Sequence, residues 1–163
     1  IRDENGLVHV KASSRHDAYF GQGFAEAQDR LFQLEFHRLV GLGELASVVG
    51  ADAIAADKAT RTLNIKASAA SLCKYAKASD LALLQAFVDG VNYYLQHVSK
   101  RPVEFFFMSS RPLYFHEPKP FTMEDLCVTM RLLQWEMSSN IDAEGSRFSK
   151  FFTPLQRTYS QVE

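Results

Sequence analysis

Residues 13–43 read SSRHDAYFGQGFAEAQDRLFQLEFHRLVGLG, the longest stretch of the chain whose apolar residues recur at helical spacing. Ser14 and Asp17 stand three apart, as in a capping box, where each side chain satisfies a free backbone N–H at the start of a helix. Phe20, Phe24, Ala27, Leu31 and Leu34 then step by four and three in turn. Tyr19, Phe32, Phe36, Leu39 and Val40 widen that stripe beyond what an isolated amphipathic helix needs, so the spacing predicts a helix covered on more than one side. Arg38 breaks the apolar pattern and is expected in the last turn, where the helix dipole favours a positive charge. Gly21 and Gly23 each cost about 1 kcal/mol against Ala in a helix interior, which a second backbone passing close to that face would explain. Gly41 and Gly43 are expected to end the helix, because Gly takes the left-handed cap conformation without a Cβ clash.

Working outward, Ile1–Val10 reads as two short extended segments around Asn5-Gly6, the dipeptide that suits a type I′ hairpin. Strands this short cannot hold together alone in water, so they are expected to join a sheet supplied by something else. Beyond Gly43, the Ala-rich region 44–70 reads as short helices wrapping a surface. A second long helix is expected from Ser79, with Leu81, Leu84, Phe87, Val88, Val91, Tyr94 and Leu95 on one stripe, ending at Lys100-Arg101-Pro102. Residues 102–121 hold four of the five prolines and the aromatics Phe105, Phe106, Phe107, Tyr114, Phe115 and Phe121. They read as an extended apolar connection. A third helix is expected from Thr122, with Asp125 completing another capping box and Leu126, Leu133 and Met137 on one face. With no repeat or low-complexity linker, 1–163 reads as one unit.

At 163 residues and 47% hydrophobic, the chain is long enough to bury a core. A formal net charge of -1 with scattered basic residues leaves no electrostatic footprint for nucleic acid. No apolar run reaches the roughly 20 residues of a membrane span, and no signal-peptide pattern precedes Ile1. Cys73 and Cys127 share no metal or redox spacing; composition does not say whether they meet, and two buried free thiols is the favoured reading.

Residues that carry chemistry are sparse. His9, His16, His37, His97 and His116 form no spaced ligand pair, and structural roles are expected for them. No G-x-S-x-G elbow activates a serine, and Gly41-x-Gly43 lacks the third glycine and preceding strand of a dinucleotide site. Glu26 and Arg30, one turn apart, read as an ordinary helix-surface pair.

Several fragments together nevertheless form a specific pattern: Arg2-Asp3-Glu4-Asn5-Gly6, His9, Asp17-Ala18, Gly21-Gln22-Gly23, Ala27-Gln28-Asp29-Arg30-Leu31, Gly43-Glu44-Leu45-Ala46, Asp57, Arg61, Pro102-Val103-Glu104-Phe105, Thr122-Met123-Glu124-Asp125, Trp135, Ser138-Ser139-Asn140 and Glu144. In order and spacing the chain resembles the small α chain of the penicillin acylase family, which belongs to the N-terminal nucleophile hydrolases. The resemblance implies an α+β fold in which a mainly helical α chain completes an αββα sandwich with a larger β chain cut from the same precursor. It implies amide hydrolysis of small N-acylated compounds, such as β-lactam side chains or N-acyl homoserine lactones, through an acyl-enzyme on the β chain's N-terminal serine. On that reading no residue of this chain is catalytic, there is no organic cofactor, and the protein is periplasmic or secreted. Glu144 stands where the family places a ligand to one structural calcium shared with the β chain. Gln134, Met137 and Ser138 stand where the family's α chain meets the acyl group, but the penicillin G type enzymes carry an Arg-Phe pair at the positions of Met137 and Ser138, so a phenylacetyl preference is not implied. The competing readings are a non-catalytic helical interaction module and a degenerate acylase homologue.

Overall fold

The computed structural model describes residues 1–98, 101–108, 116–138, 144–147 and 149. Within them the chain runs through α1 (Arg15–Leu42), α2 (Ala46–Val49), a 3-10 turn (Ala51–Ala53), α3 (Ile54–Leu63), α4 (Ile65–Tyr75), α5 (Ala78–His97), α6 (Glu104–Met108) and α7 (Met123–Ser138). It divides into two compact units, Ile1–Leu132 and Leu133–Glu163, although the sequence shows no linker there. Among the described residues the only extended pairing is an isolated antiparallel bridge between Arg2 and Val8.

Both ends of α1 follow from local chemistry. Ser14 Oγ accepts from the Asp17 amide at 3.1 Å, satisfying one orphan donor of the first turn. Gly43, at φ +66°, closes the other end, its N–H bonding back to α1 carbonyls. Gly41 does not end the helix as expected; it lies inside the helix, where a Cβ would come within 2.5 Å of Val128.

The molecule is built on the antiparallel-type contact of α1 with α5, and two glycines set how close the helices come. A Cβ on Gly23 would lie 2.0 Å from the carbonyl oxygen of Phe87, and one on Gly90 would lie 2.0 Å from that of Phe20. The second backbone expected beside Gly23 is therefore that of α5, whereas Gly21 faces the Val10 side chain instead. Around this contact Ala27, Leu31 and Leu39 of α1 pack with Val88, Val91, Tyr94 and Leu95 of α5, and with Phe105, Met108 and Phe121. Of the expected stripe on α5, Val88, Val91, Tyr94 and Leu95 are buried and Leu81, Leu84 and Phe87 half-buried, with Ala86 and Gly90 buried beside them. Gly90→Ala gains roughly 1 kcal/mol of helix propensity but overpacks against rigid backbone, so a net loss of about 2 kcal/mol is expected. Denaturant midpoints check it, with Gly145→Ala, whose Cβ meets nothing within 4 Å, expected to change little.

Several expectations are corrected in detail. The N-terminal turn is not type I′, because Asn5 does not have positive φ and only Gly6 does, at +80°. Asp3 explains this: its carboxylate accepts the amides of Asn5 and Leu7, and the Gly6 amide bonds to the Asp3 carbonyl. That arrangement is a three-residue loop with Gly in the left-handed position, the next most common hairpin. The His9 ring, 3.0 Å from Asp3, and the Leu7 amide hold the Asp3 carboxyl below its ordinary value. The second helix begins at Ala78, ahead of Ser79, and ends at His97, where Arg101 donates to the carbonyls of Leu95 and Val98. The connection after it is not wholly extended, since Glu104–Met108 is a short helix that buries Phe105 and Met108 in the main core. Tyr114 and Phe115 lie outside the described residues.

The helix expected from Thr122 carries its complete capping box: the Asp125 amide donates to Thr122 Oγ1 at 3.2 Å, and the Thr122 amide donates to Asp125 Oδ2 at 2.8 Å. Its buried residues are Asp125, Cys127, Val128, Thr129 and Leu132; of the expected stripe Leu126 packs against the main core, while Leu133 and Met137 are exposed. The free thiols are also corrected, for Cys73 of α4 and Cys127 of α7 form a disulfide. They join a second apolar cluster made by Ile65, Ala69, Val128 and Leu132.

Candidate functional site

Two regions bear on function. The first is a cleft of about 350 Å³ lined by residues including Glu35, Arg38, Lys66, His116, Lys119 and Asp125. Its floor is a buried charge cluster. Glu35 on α1 is 0% exposed and Arg38, one turn on, is 6% exposed. Arg38 Nη2 donates to Glu35 Oε1 at 2.7 Å, and the His116 ring meets the same oxygen at 2.7 Å. Arg38 Nη1 lies 3.7 Å from Asp125 Oδ2, and the guanidinium stacks over the Phe121 ring at 4.9 Å. The second Glu35 oxygen, Oε2, lies 2.7 Å from the same Arg38 Nη2, and among the described residues Arg38 Nε has no hydrogen-bond partner.

The helix-dipole role expected for Arg38 is therefore corrected: α1 runs on to Leu42, so Arg38 stands before the last turn, and its charge is turned inward and paired with Glu35. Glu35 had a sequence signal, a Glu and an Arg three apart inside an otherwise apolar stretch, since charges on a helix covered all round must be paired. In contrast, no ion pair joins Glu26 to Arg30 among the described residues; Arg30 sits at a break in α1, with φ −133° and ψ 22°. Nearby, Asp29 and Gln28 instead take the Arg2 guanidinium and pin the N-terminal turn to α1.

Chemically the cluster is a clamp. The Thr122 hydroxyl is used by Asp125, which it both donates to and accepts from, and the His116 ring is used by Glu35. Asn92 of α5 holds both backbone groups of Phe121, at 2.7 and 2.8 Å. Residues 116–125 are thus strapped across α1 and α5. A second clamp lies at the end of α1, where the Asp57 carboxylate accepts the amides of Leu45 and Ala46 at 2.9 and 2.8 Å, and Arg61 Nε donates to the Gly43 carbonyl at 2.9 Å. Gly43, Leu45, Ala46, Asp57 and Arg61 are thus joined as one tertiary unit.

The second region is the set of residues singled out by resemblance, all in the unit Leu133–Glu163. Gln134, Met137 and Ser138 project from the last turns of α7 and, three and four apart, share one face. Met137 is 88% exposed. Ser138 Oγ donates to the Trp135 carbonyl at 3.0 Å. Glu144 lies exposed in the helical residues 144–147. Asp142 and residues 139–143 around it are outside the described residues. Among the described residues no cluster of three or more His, Cys, Asp or Glu could hold a metal, and no helix is long and apolar enough to cross a membrane.

This helical frame, strapped by buried ion pairs, has known counterparts. The family model described as penicillin amidase matches residues 1–160. The chain is 36% identical over 144 residues to penicillin acylase 2 proenzyme of Pseudomonas sp. (strain SE83), a match covering 85% of this chain and 17% of that protein. It is 32% identical over 146 residues to acyl-homoserine lactone acylase QuiP of Pseudomonas syringae pv. syringae (strain B728a), covering 89% of this chain and 17% of the relative. Among solved structures, the thermostable penicillin G acylase from Alcaligenes faecalis superposes with a TM-score of 0.73 at 26% identity, over 92% of this chain and 79% of that chain. The chain belongs to the penicillin amidase family, whose relatives are acylases, and it spans 17% of the length of the curated relatives just named.

Proposed function

We propose that this chain is the α subunit of a two-chain amidohydrolase that cleaves small N-acylated compounds, with the nucleophile on a larger β chain. The carrying observation is one of coverage. Matched lengths that fill 17% of a relative named a proenzyme fill 79% of one chain of the solved penicillin G acylase, which favours a region that ends as a separate short chain. On this reading the attacking hydroxyl is that of the β chain's N-terminal serine, whose own α-amino group, with an unperturbed pKa near neutrality, accepts the proton. Residues 1–163 then work as one subunit: the N-terminal pair of strands, with Ile1 81% and Leu7 62% exposed, adds to the partner's sheet and completes the αββα sandwich. The Cys73–Cys127 disulfide supports an oxidising compartment, in keeping with a periplasmic or secreted enzyme.

The substrates proposed are β-lactam side-chain amides or N-acyl homoserine lactones, in line with the names of the relatives. Gln134, Met137 and Ser138 are assigned to one wall of the acyl pocket, for which their shared, exposed helix face is suited. Met137, flexible and polarisable, suits a linear acyl chain. The test is hydrolysis by the assembled two-chain enzyme of a series of N-acyl compounds differing in acyl length. Met137→Phe is expected to move the kcat/KM optimum toward shorter acyl groups, by about 10-fold or more against the longest, with little change in stability. Equal effects at every length would remove Met137 from the pocket.

Glu144 is proposed to give one carboxylate to a calcium ion shared with the partner. Its exposure suits that role, but calcium takes 6–8 oxygen ligands, so most must come from elsewhere. Binding to the folded state alone stabilises it, so chelator is expected to lower the melting temperature of the assembled enzyme, and Glu144→Ala to abolish that sensitivity. An unchanged chelator response in the variant would end the assignment.

A further inference from the structure

The Cys73–Cys127 disulfide sits where the chain is otherwise thinly held. The first half of α4 is anchored by Ile65 and Ala69, both buried in the second apolar cluster, and by an Arg131 Nε bond to Ser68 Oγ at 2.7 Å. From Ala70 to Asp80, covering the second half of α4, the link to α5 and the first residues of α5, no residue is buried. Tyr75 is almost fully exposed, and its neighbour Lys74 lies over its ring rather than against the body of the protein. Cys73, half-buried, is the covalent tether of this segment, and its partner Cys127 is buried beside Val128 and Leu132. The bridge is thus the covalent link that ties this segment to α7.

We propose that the Cys73–Cys127 pair is a redox-operated latch that holds residues 70–80 down, and that its reduction frees this segment while leaving the α1–α5 core folded. The reductant is of the dithiol class. One of its thiolates attacks Sγ of Cys73, the more accessible sulfur, and the S–S bond breaks with Cys127 leaving as a thiolate that takes up a proton. The reductant's second thiol then resolves the mixed disulfide, releasing the Cys73 thiol and the oxidised cyclic reductant. The latch needs no assumption about the reaction catalysed, because both cysteines and all the anchors lie in the unit Ile1–Leu132.

Hydrogen exchange read by mass spectrometry on the native protein, before and after a dithiol such as dithiothreitol, tests it. Alkylation mass confirms that both sulfurs are oxidised first and reduced afterwards. Amide exchange in residues 70–80 is expected to rise by roughly 10-fold or more as the untethered segment opens locally, while the buried faces of α1 and α5 keep their protection. Cys73→Ser with Cys127→Ser is expected to show the reduced pattern without reductant. Alkylation of both thiols before reduction would overturn the latch, as would unchanged exchange over 70–80 after complete reduction. Loss of protection across α1 and α5 together would overturn it too, since the bridge would then support the whole fold.

Discussion

Arg38→Ala is expected to destabilise the protein by about 3–5 kcal/mol, the usual cost of removing one partner from a buried ion pair. The reason is desolvation. Glu35 has no exposed surface, and without Arg38 its carboxylate would keep only the His116 ring, while Asp125 would lose its nearest cation. The guanidinium also packs on Phe121, so its removal opens a hole as well as stranding charge. Replacing Glu35 and Arg38 together by leucines is expected to cost less than Arg38→Ala alone, because no Glu35 charge remains to be paired. Denaturant unfolding of the three proteins measures this. A loss below about 1 kcal/mol for Arg38→Ala would be the value of an exposed pair and would contradict the buried cluster.

The effect extends beyond stability, because Asp125 belongs to two systems at once. It closes the capping box of α7 through Thr122 and faces Arg38 across the cleft, so α7 starts where α1 fixes it. Half of this was legible in the sequence. A capping box is a local pattern, three residues long, and Ser14 with Asp17 and Thr122 with Asp125 both begin helices where their spacing indicates, though only the Ser14 Oγ bond is made in the first. Gly43 is legible for the same reason, because a left-handed residue after an apolar helix is a local requirement.

What the sequence hid is nonlocal. Arg38 was expected at the end of a helix that in fact runs on to Leu42, and its partners are met only in the folded chain; Glu35 and His116 are 81 residues apart. Gly23 announced a close neighbour, but nothing in the spacing named Gly90 as its counterpart on α5. Asn5-Gly6 is a strong hairpin signal, yet Asp3, with two backbone amides on one carboxylate, chooses a longer loop. The pairing of Cys73 with Cys127 depends on α4 folding back on α7, which no spacing encodes. Gln134, Met137 and Ser138 are proposed for the site by resemblance alone; the structure shows them exposed at the end of α7.

The second large effect concerns activity. Residues 1–163 alone are expected to hydrolyse no amide, and the assembled enzyme to recover full turnover, a difference limited only by the detection floor. Among the described residues the Thr122 hydroxyl and the His116 ring of the charged cleft are used in holding the fold, and Ser138 Oγ donates to the Trp135 carbonyl. A divided active site also depends on close assembly, since a misplacement of about 1 Å can cost on the order of 10²-fold in rate. Turnover by the isolated chain comparable to that of the assembly would contradict a partner-borne nucleophile.

The most direct test is to treat the two-chain assembly with a serine-directed acylating reagent and locate the adduct by mass spectrometry of the separated chains. The account predicts one stoichiometric label on the first residue of the β chain and none on residues 1–163. A stoichiometric label on any serine of this chain, with the β-chain terminus unmodified, would contradict it.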